Sequence, residues 1–274
     1  MAEVRLTTLR LPKRVCPRKP VAGLVPSARE RSLLPELCWS GFLTTGQIER
    51  LAFPSRRRAQ RRLRALLDHG YLRAHLQGGA LHRDTVWTLG PRGLALLRDE
   101  GLAPEDTRPY RLNPQSQKLG HAVAVRDVAV SFLTARARGL LDVTDIRLDG
   151  ELANRSPFRE ARLVPDGLAT INDGGIVRVV MWEVNCIGQP LAQVRQKLLA
   201  YVRARAAGMP LFSARGLVVL VLTEGERRLS NIRDFAASLG AEPGIRACLL
   251  DEIHRAGKLS GVLGVWNSRF RPIS

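Results

Sequence analysis

The chain has 274 residues and carries 43 Lys+Arg against 25 Asp+Glu, a formal net charge of +18. That length suits one large or two modest domains with a real hydrophobic core, which disfavours a scaffold held together by disulfides or metals. An excess of this size selects polyanionic partners, nucleic acid first, and says little about the fold itself.

Residues 1–28 hold four prolines and several basic side chains with no clear period, and read as a basic arm. From residue 29 the pattern becomes helical. ERSLLPELCWSG, TTGQIERLAF and SRRRAQRRLRALLDHG give three short helices, with Thr44 or Thr45 capping the second and Ser55 the third. Gly70 ends the third helix. Two strand-like runs around Gly78-Gly79 then predict a hairpin, followed by a short helix at 91–98. Three helices and a two-stranded wing over 29–98 make a winged helix-turn-helix whose third helix is the recognition helix. That helix carries Arg56, Arg57, Arg58, Arg61, Arg62 and Arg64 before its first acid, Asp68, and buries Leu63, Leu66 and Leu67. Arginines at the start of such a helix are placed to meet phosphates and base edges.

Residues 99–118 are polar and proline-rich, a linker. GHAVAVRDVAVSFLTARARG is then a helix, DVTDIRLDGELA a strand, REARLVPDGLATI a second strand, NDGG a tight turn and IVRVVMWEVN a third strand. PLAQVRQKLLAYVRARAAG is an amphipathic helix, GLVVLVL a buried strand, RRLSNIRDFAASLG a helix and SGVLGVWN a last strand. The order α-β-β-β-α-β-α-β over 119–274 predicts a mixed sheet flanked by helices, so the whole chain is α+β. Residues 1–115 carry 21 basic against 10 acidic side chains and residues 116–274 carry 22 against 15, so the first part is the better main polyanion contact.

Two lone acids interrupt strand-like sequence: Asp166 after Val-Pro, and Glu183 inside VVMWEVN. A turn centred on Asp173-Gly174 sets these strands in a register that brings Asp166 opposite Glu183. Two carboxylates facing each other repel unless a cation lies between them. Asn185 stands two residues beyond Glu183 and therefore on the same face. Such a pair can hold Mg²⁺ or Mn²⁺ through oxygen ligands, and a metal so placed activates water and stabilises a phosphoryl transition state.

The ordering αβββαβ with PD…ExN resembles the PD-(D/E)xK nuclease superfamily. More narrowly, FLTTGQIERLAF with the arginine-rich helix, GHAVAVRDVAV, VPDG, WEVN and QKLLAYVRA resemble the replication-relaxation family of plasmids and other mobile elements, over most of residues 30–205. The resemblance implies a restriction-endonuclease-like C-terminal domain and DNA binding in plasmid replication or relaxation. It implies double-stranded DNA and plasmid replication or conjugation proteins as partners, and it leaves a homodimer open. In that pattern Asp166 and Glu183 bind metal and a lysine supports the attacking water. The lysine is Asn185 here, and an amide supplies no positive charge. Lys197, one of only five lysines beside 38 arginines, falls on the apolar side of its helix and is the substitute, with a boundary lysine beside the core as the alternative reading.

His121 and Asp127 are six residues apart on one helix and so do not share a face. His121 reads as a helix-start residue rather than a ligand, and Asp127 as an auxiliary acid or an ordinary surface group. No GxxxxGK[ST] loop occurs, which argues against a nucleotide cofactor, and no histidine cluster suits a relaxase metal site. Tyr110 and Tyr201 lack the surroundings of a covalent nucleophile. Cys16, Cys38, Cys186 and Cys248 stand apart without a CxxC pair, and read as free thiols of a reducing cytosol. The N-terminus has no signal-peptide h-region, and the longest apolar run, GLVVLVL, is too short for a bilayer. The expectation is a soluble cytoplasmic protein. Two further readings stay open: an active Mg-dependent endonuclease or nickase, and a winged-helix transcriptional regulator whose C-terminal domain is inert.

Overall fold

The computed structural model describes residues 17–18, 23–75, 84–111, 118–173, 175–186, 189–212, 216–240 and 244–254. The chain divides into two compact units, Met1–Gly120 and His121–Ser274. Most of the basic arm, Cys16, the Gly78-Gly79 turn, Gly174 and SGVLGVWN lie outside the described residues.

The first unit runs α1 (Ala28–Ser40), β1 (Leu43–Thr44), α2 (Thr45–Ala52), α3 (Arg56–Asp68), β2 (Leu72–His75), β3 (Val86–Leu89) and α4 (Pro91–Asp99). Local chemistry sets the helix starts. Ser27 N–H donates to Glu30 Oε2 at 2.8 Å at the head of α1. Thr44 Oγ1 accepts from Gln47 N–H at 3.2 Å, while Thr44 N–H donates to Gln47 Oε1 at 2.8 Å, a reciprocal cap on α2. Ser55 Oγ accepts from Arg58 N–H at the head of α3. Gly70 follows α3 with φ 75°, a left-handed turn that costs glycine little.

The sheet of this unit has three strands in the order β1-β3-β2, all antiparallel. The added strand is β1, where Leu43 pairs with Trp87 and Thr44 with Val86. Both of its residues are buried, so the two-residue link into α2 is extended and closes the free edge of β3. Leu34, Leu37, Ile48, Leu63 and Leu66 are fully buried and join the three helices over the sheet. The segment after α4 returns to this core, where the Tyr110 ring tilts against Phe42 at 5.8 Å.

The second unit runs α5 (Leu119–Ala137), β4 (Asp142–Leu148), α6 (Asp149–Leu152), α7 (Phe158–Ala161), β5 (Gly167–Asp173), β6 (Ile176–Asn185), α8 (Leu191–Ala206), β7 (Leu217–Thr223), α9 (Glu226–Ser238), β8 (Ile245–Leu249) and α10 (Leu250–His254). Its sheet has the order β4-β5-β6-β7-β8. The pairs β4/β5 and β5/β6 are antiparallel, and β6/β7 and β7/β8 are parallel. Every residue of β7 is buried, as expected for a parallel strand covered on both faces. On β6, Val179 and Met181 pack with Val194, Leu198 and Tyr201 of α8. Trp182 points the other way and stacks on Phe132 of α5, with ring centroids 5.5 Å apart. Side chains alternate along a strand, so Glu183 and Asn185 continue the α8 face.

Two expected strands need correction. The first, expected over 142–153, ends at Leu148, and Asp149–Leu152 is a helical turn. The second strand, expected over 159–171, begins at Gly167, and Phe158–Ala161 is a helical turn. Arg162 turns the chain left-handed (φ 50°), and Pro165 has no N–H to give a ladder, so pairing cannot start earlier. The last described strand is IRACL at Ile245–Leu249, a segment with too little β-branched character to announce itself. Among the described residues no helix is long and apolar enough to cross a membrane.

Candidate functional site

Asp166 is fixed by the backbone on both sides. Its N–H donates to Trp182 O at 3.1 Å, and its carbonyl accepts from Asp149 N–H at 3.2 Å. Its side chain turns to β6, where Oδ2 accepts from Val184 N–H at 2.8 Å. The ladder that pairs Gly167 with Trp182 therefore continues one step, to bring Asp166 beside Glu183. A Cβ at position 167 would lie 2.0 Å from a Trp182 ring atom, so only glycine lets Trp182 close beneath the residue that follows Asp166.

Glu183 is 4 % exposed, and both carboxylate oxygens are engaged. Oε1 accepts from Tyr201 OH at 2.7 Å, and Oε2 accepts from Lys197 Nζ at 2.5 Å. Lys197 and Tyr201 are four residues apart on α8 and so share the face turned to the sheet. Nζ also reaches Val164 O at 3.4 Å and Asp166 Oδ1 at 3.6 Å. His121 Nε2, from the first turn of α5, lies 3.4 Å from the same Asp166 Oδ1. Two acids and two cations are thus packed together.

Their protonation follows from burial and charge. Burial and the neighbouring Asp166 push the Glu183 carboxyl up to about 7, against the pull of Lys197 and Tyr201. Burial also works against charge on Asp166, but His121, Lys197 and Val184 N–H together hold its carboxyl below the usual range. For His121, burial is outweighed by Asp166 and the Cys186 thiol, which raise the imidazole to about 10. Burial opposes charge on Lys197 too, and the two carboxylates outweigh it, so the ammonium is kept. Burial and then the Glu183 carboxylate push the Tyr201 phenol well above its ordinary range, which leaves it a hydrogen-bond donor.

Asn185 is 2 % exposed and, on the same face, bonds to other partners. Its Oδ1 accepts from Arg228 of α9 at 3.0 Å, and its Nδ2 donates to Gln189 Oε1 at 3.3 Å. Arg228 also donates to Gln189 O at 3.0 and 2.5 Å. Gln189 Nε2 lies 3.4 Å from His121 Nδ1, which links this layer to the acid cluster. Asn185 therefore engages Gln189 and Arg228 rather than either acid.

Of the site residues expected from the sequence, Asp166, Glu183 and Lys197 converge. His121, expected as a helix-start residue, is both that and a partner of Asp166. At Asp127 the backbone carbonyl accepts from Ser131 Oγ at 2.8 Å, one turn further along α5. Tyr201, Gln189 and Arg228 were missed. Only Tyr201 had a signal, a spacing of four from Lys197 on the apolar face.

A divalent ion asks for oxygen donors. Among the described residues no group of three or more His, Cys, Asp or Glu side chains stands ready to hold one. Two oxygens, Asp166 Oδ1 and Glu183 Oε2, do converge, and the Lys197 ammonium lies between them. Two carboxylate oxygens are the donors these residues offer, and the Lys197 side chain between them is 39 % exposed.

The arginines of α3 divide into two sets. Arg62 clasps the fully buried Glu30 of α1 with two bonds, 2.6 and 2.7 Å. Arg64 pairs with Asp68 at 3.0 Å, and Arg56 with Asp84 at 2.8 Å. Asp84 also accepts from Gly46 N–H at 2.8 Å, which ties the starts of α2 and α3 together. Arg57, Arg58 and Arg61 are exposed, with no ion pair among the described residues.

A family model described as replication-relaxation matches residues 36–216. No curated protein matches the chain. Among solved structures it is similar to the restriction endonuclease FokI, with 11 % identity and a TM-score of 0.36 over 92 % of this chain and 50 % of that one. The chain thus spans half the length of that structure.

Proposed function

Because the chain belongs to the replication-relaxation family, we propose that it is a cytoplasmic DNA-binding protein of plasmid or mobile-element replication. On this reading the first unit works as a winged helix and α3 docks on duplex DNA. The observation that carries it is the division among the arginines: three are tied up in ion pairs with Glu30, Asp68 and Asp84, and Arg57, Arg58 and Arg61 are left facing solvent on the helix such a fold uses for DNA. Phosphate contacts of this kind release counterions, so binding weakens steeply with salt. The test is a titration of duplex DNA at several salt concentrations with Arg57→Ala/Arg58→Ala/Arg61→Ala beside the parent. A lower affinity and a shallower salt slope are expected. An unchanged slope removes α3 from the interface.

A second reading is favoured by one observation, the bridging of Asp166 and Glu183 by Lys197. It is metal-dependent hydrolysis of a phosphodiester. Asp166 and Glu183 would hold Mg²⁺ or Mn²⁺, which when bound supplies an activated water and charge stabilisation at phosphorus. Lys197, released from Glu183, would neutralise charge developing on the scissile phosphate. Tyr201 keeps Glu183 Oε1 fixed and directs its other oxygen toward the cluster. His121 holds Asp166 Oδ1 from the α5 side. Nicking of supercoiled plasmid with Mg²⁺ or Mn²⁺, lost in Glu183→Gln, would support this activity. Tight binding without nicking would leave the chain a DNA-binding replication factor on a nuclease-like scaffold.

A further inference from the structure

Two non-glycine residues among those described have a positive φ, Leu211 at 72° and Arg162 at 50°. Leu211 packs against the hydrophobic core of the second unit, and that burial offsets the strain of its backbone. Arg162 has no such compensation. Its side chain is exposed, and no hydrogen bond or ion pair of its guanidinium is found among the described residues. It stands directly after α7, with its N–H bonded to Arg159 O at 3.3 Å, in the left-handed cap where glycine is the usual residue.

The chain leads straight from there to the acid cluster. Leu163 is buried in the core, Val164 O accepts from Lys197 Nζ at 3.4 Å, and Asp166 follows two residues later. Asp166 is four positions beyond Arg162, at most about 14 Å of extended chain. Arg155 and Arg159 lie exposed on the same stretch. The one acid among them, Glu160, accepts from Ser156 Oγ at 2.7 Å. Residues 155–162 thus carry three exposed guanidinium groups with a single carboxylate, a local excess of the charge that attracts phosphate.

We propose that Arg162, with Arg159 and Arg155 beside it, binds the phosphate backbone of a nucleic-acid strand at the mouth of the Asp166–Glu183–Lys197 cluster. The inference rests on the proposed DNA binding and adds a second contact, on the second unit. The left-handed backbone is then kept for what the side chain does.

The full-length chain is compared as parent, Arg162→Gly and Arg162→Lys, by fluorescence anisotropy with a labelled duplex of about 30 base pairs and by thermal melting. Glycine relieves the backbone, so the Tm of Arg162→Gly is expected to hold or rise by up to about 3 °C. Its DNA affinity is expected to fall several-fold, and the salt slope by about one. Arg162→Lys keeps the charge and should keep the slope. Unchanged affinity and slope in Arg162→Gly overturn the proposal. So does a joint fall in affinity and Tm, which would make the side chain structural. The triple variant of α3 is run beside it to test the first reading separately. If that variant binds like the parent while Arg162→Gly does not, α3 loses its role and Arg162 keeps its own. A parent chain that binds no duplex overturns both.

Discussion

Lys197 Nζ lies 2.5 Å from Glu183 Oε2 and 3.6 Å from Asp166 Oδ1, so a single ammonium bridges the two acids. A divalent ion shared by the same oxygens needs the same place, and only one cation can hold it. Lys197→Met is therefore expected to bind Mn²⁺ more tightly than the parent, by about tenfold or more in calorimetry. Equal affinity would mean that the ammonium does not stand in the ion's way.

The same cluster sets a pH dependence. The Glu183 carboxyl is raised from 4.5 to about 7 in the fold, so its contribution is fully present below pH 4.5 and is lost as pH rises through 7. His121, raised from 6.5 to about 10, has the same sign in a later window: full below 6.5, lost as pH rises through 10. Asp166 is depressed below 3.8, so its contribution is present above that value and lost as pH falls further. Urea midpoints measured between pH 4.5 and 7 should decline for the parent and be flatter for Glu183→Gln. Parallel declines would locate the titrating group elsewhere.

The arginines of α3 should separate stability from binding. Arg62→Ala leaves Glu30 as a buried charge without its guanidinium. A broken buried pair costs about 3–5 kcal/mol, and the one-third exposure of Arg62 argues for about 2–3. Alanine at Arg57, Arg58 or Arg61 should change stability by less than about 0.5 kcal/mol. Chemical denaturation measures all four. A mild Arg62→Ala beside a severe Arg58→Ala would invert the assignment.

Gly167→Ala should be among the most destabilising single changes in the second unit, because its methyl would press on the Trp182 ring. Overpacking of this kind costs about 1–3 kcal/mol. Trp182→Leu in the same chain should restore part of the loss, and melting curves of the single and double variants test the coupling.

Much of the second unit was legible because its signals are local. The NDGG turn fixed the hairpin register, and the ladder from Gly167↔Trp182 to Asp173↔Ile176 carries Asp166 to Glu183. Helical spacing put Lys197 on the sheet-facing side of α8, where it is found. What was not legible depends on tertiary placement. His121 meets Asp166 because α5 packs over Trp182 through Phe132, which no spacing along the chain reveals. Arg62 looked like its neighbours because its partner, Glu30, lies 32 residues away. The strand β1 is two residues long, too short for an alternation to show.

Asn185 stands two residues beyond Glu183 on β6, and its neighbours bear on which side chains that position accepts. Its amide oxygen is 3.0 Å from the Arg228 guanidinium in a space almost closed to solvent. A lysine placed at 185 would set ammonium against guanidinium, with no carboxylate among the partners found there. Losing Arg228 first would strip Asn185 Oδ1 and Gln189 O of their shared donor. Arg228 therefore leaves no room for a second cation at position 185, and the ammonium beside the acids comes from α8 instead.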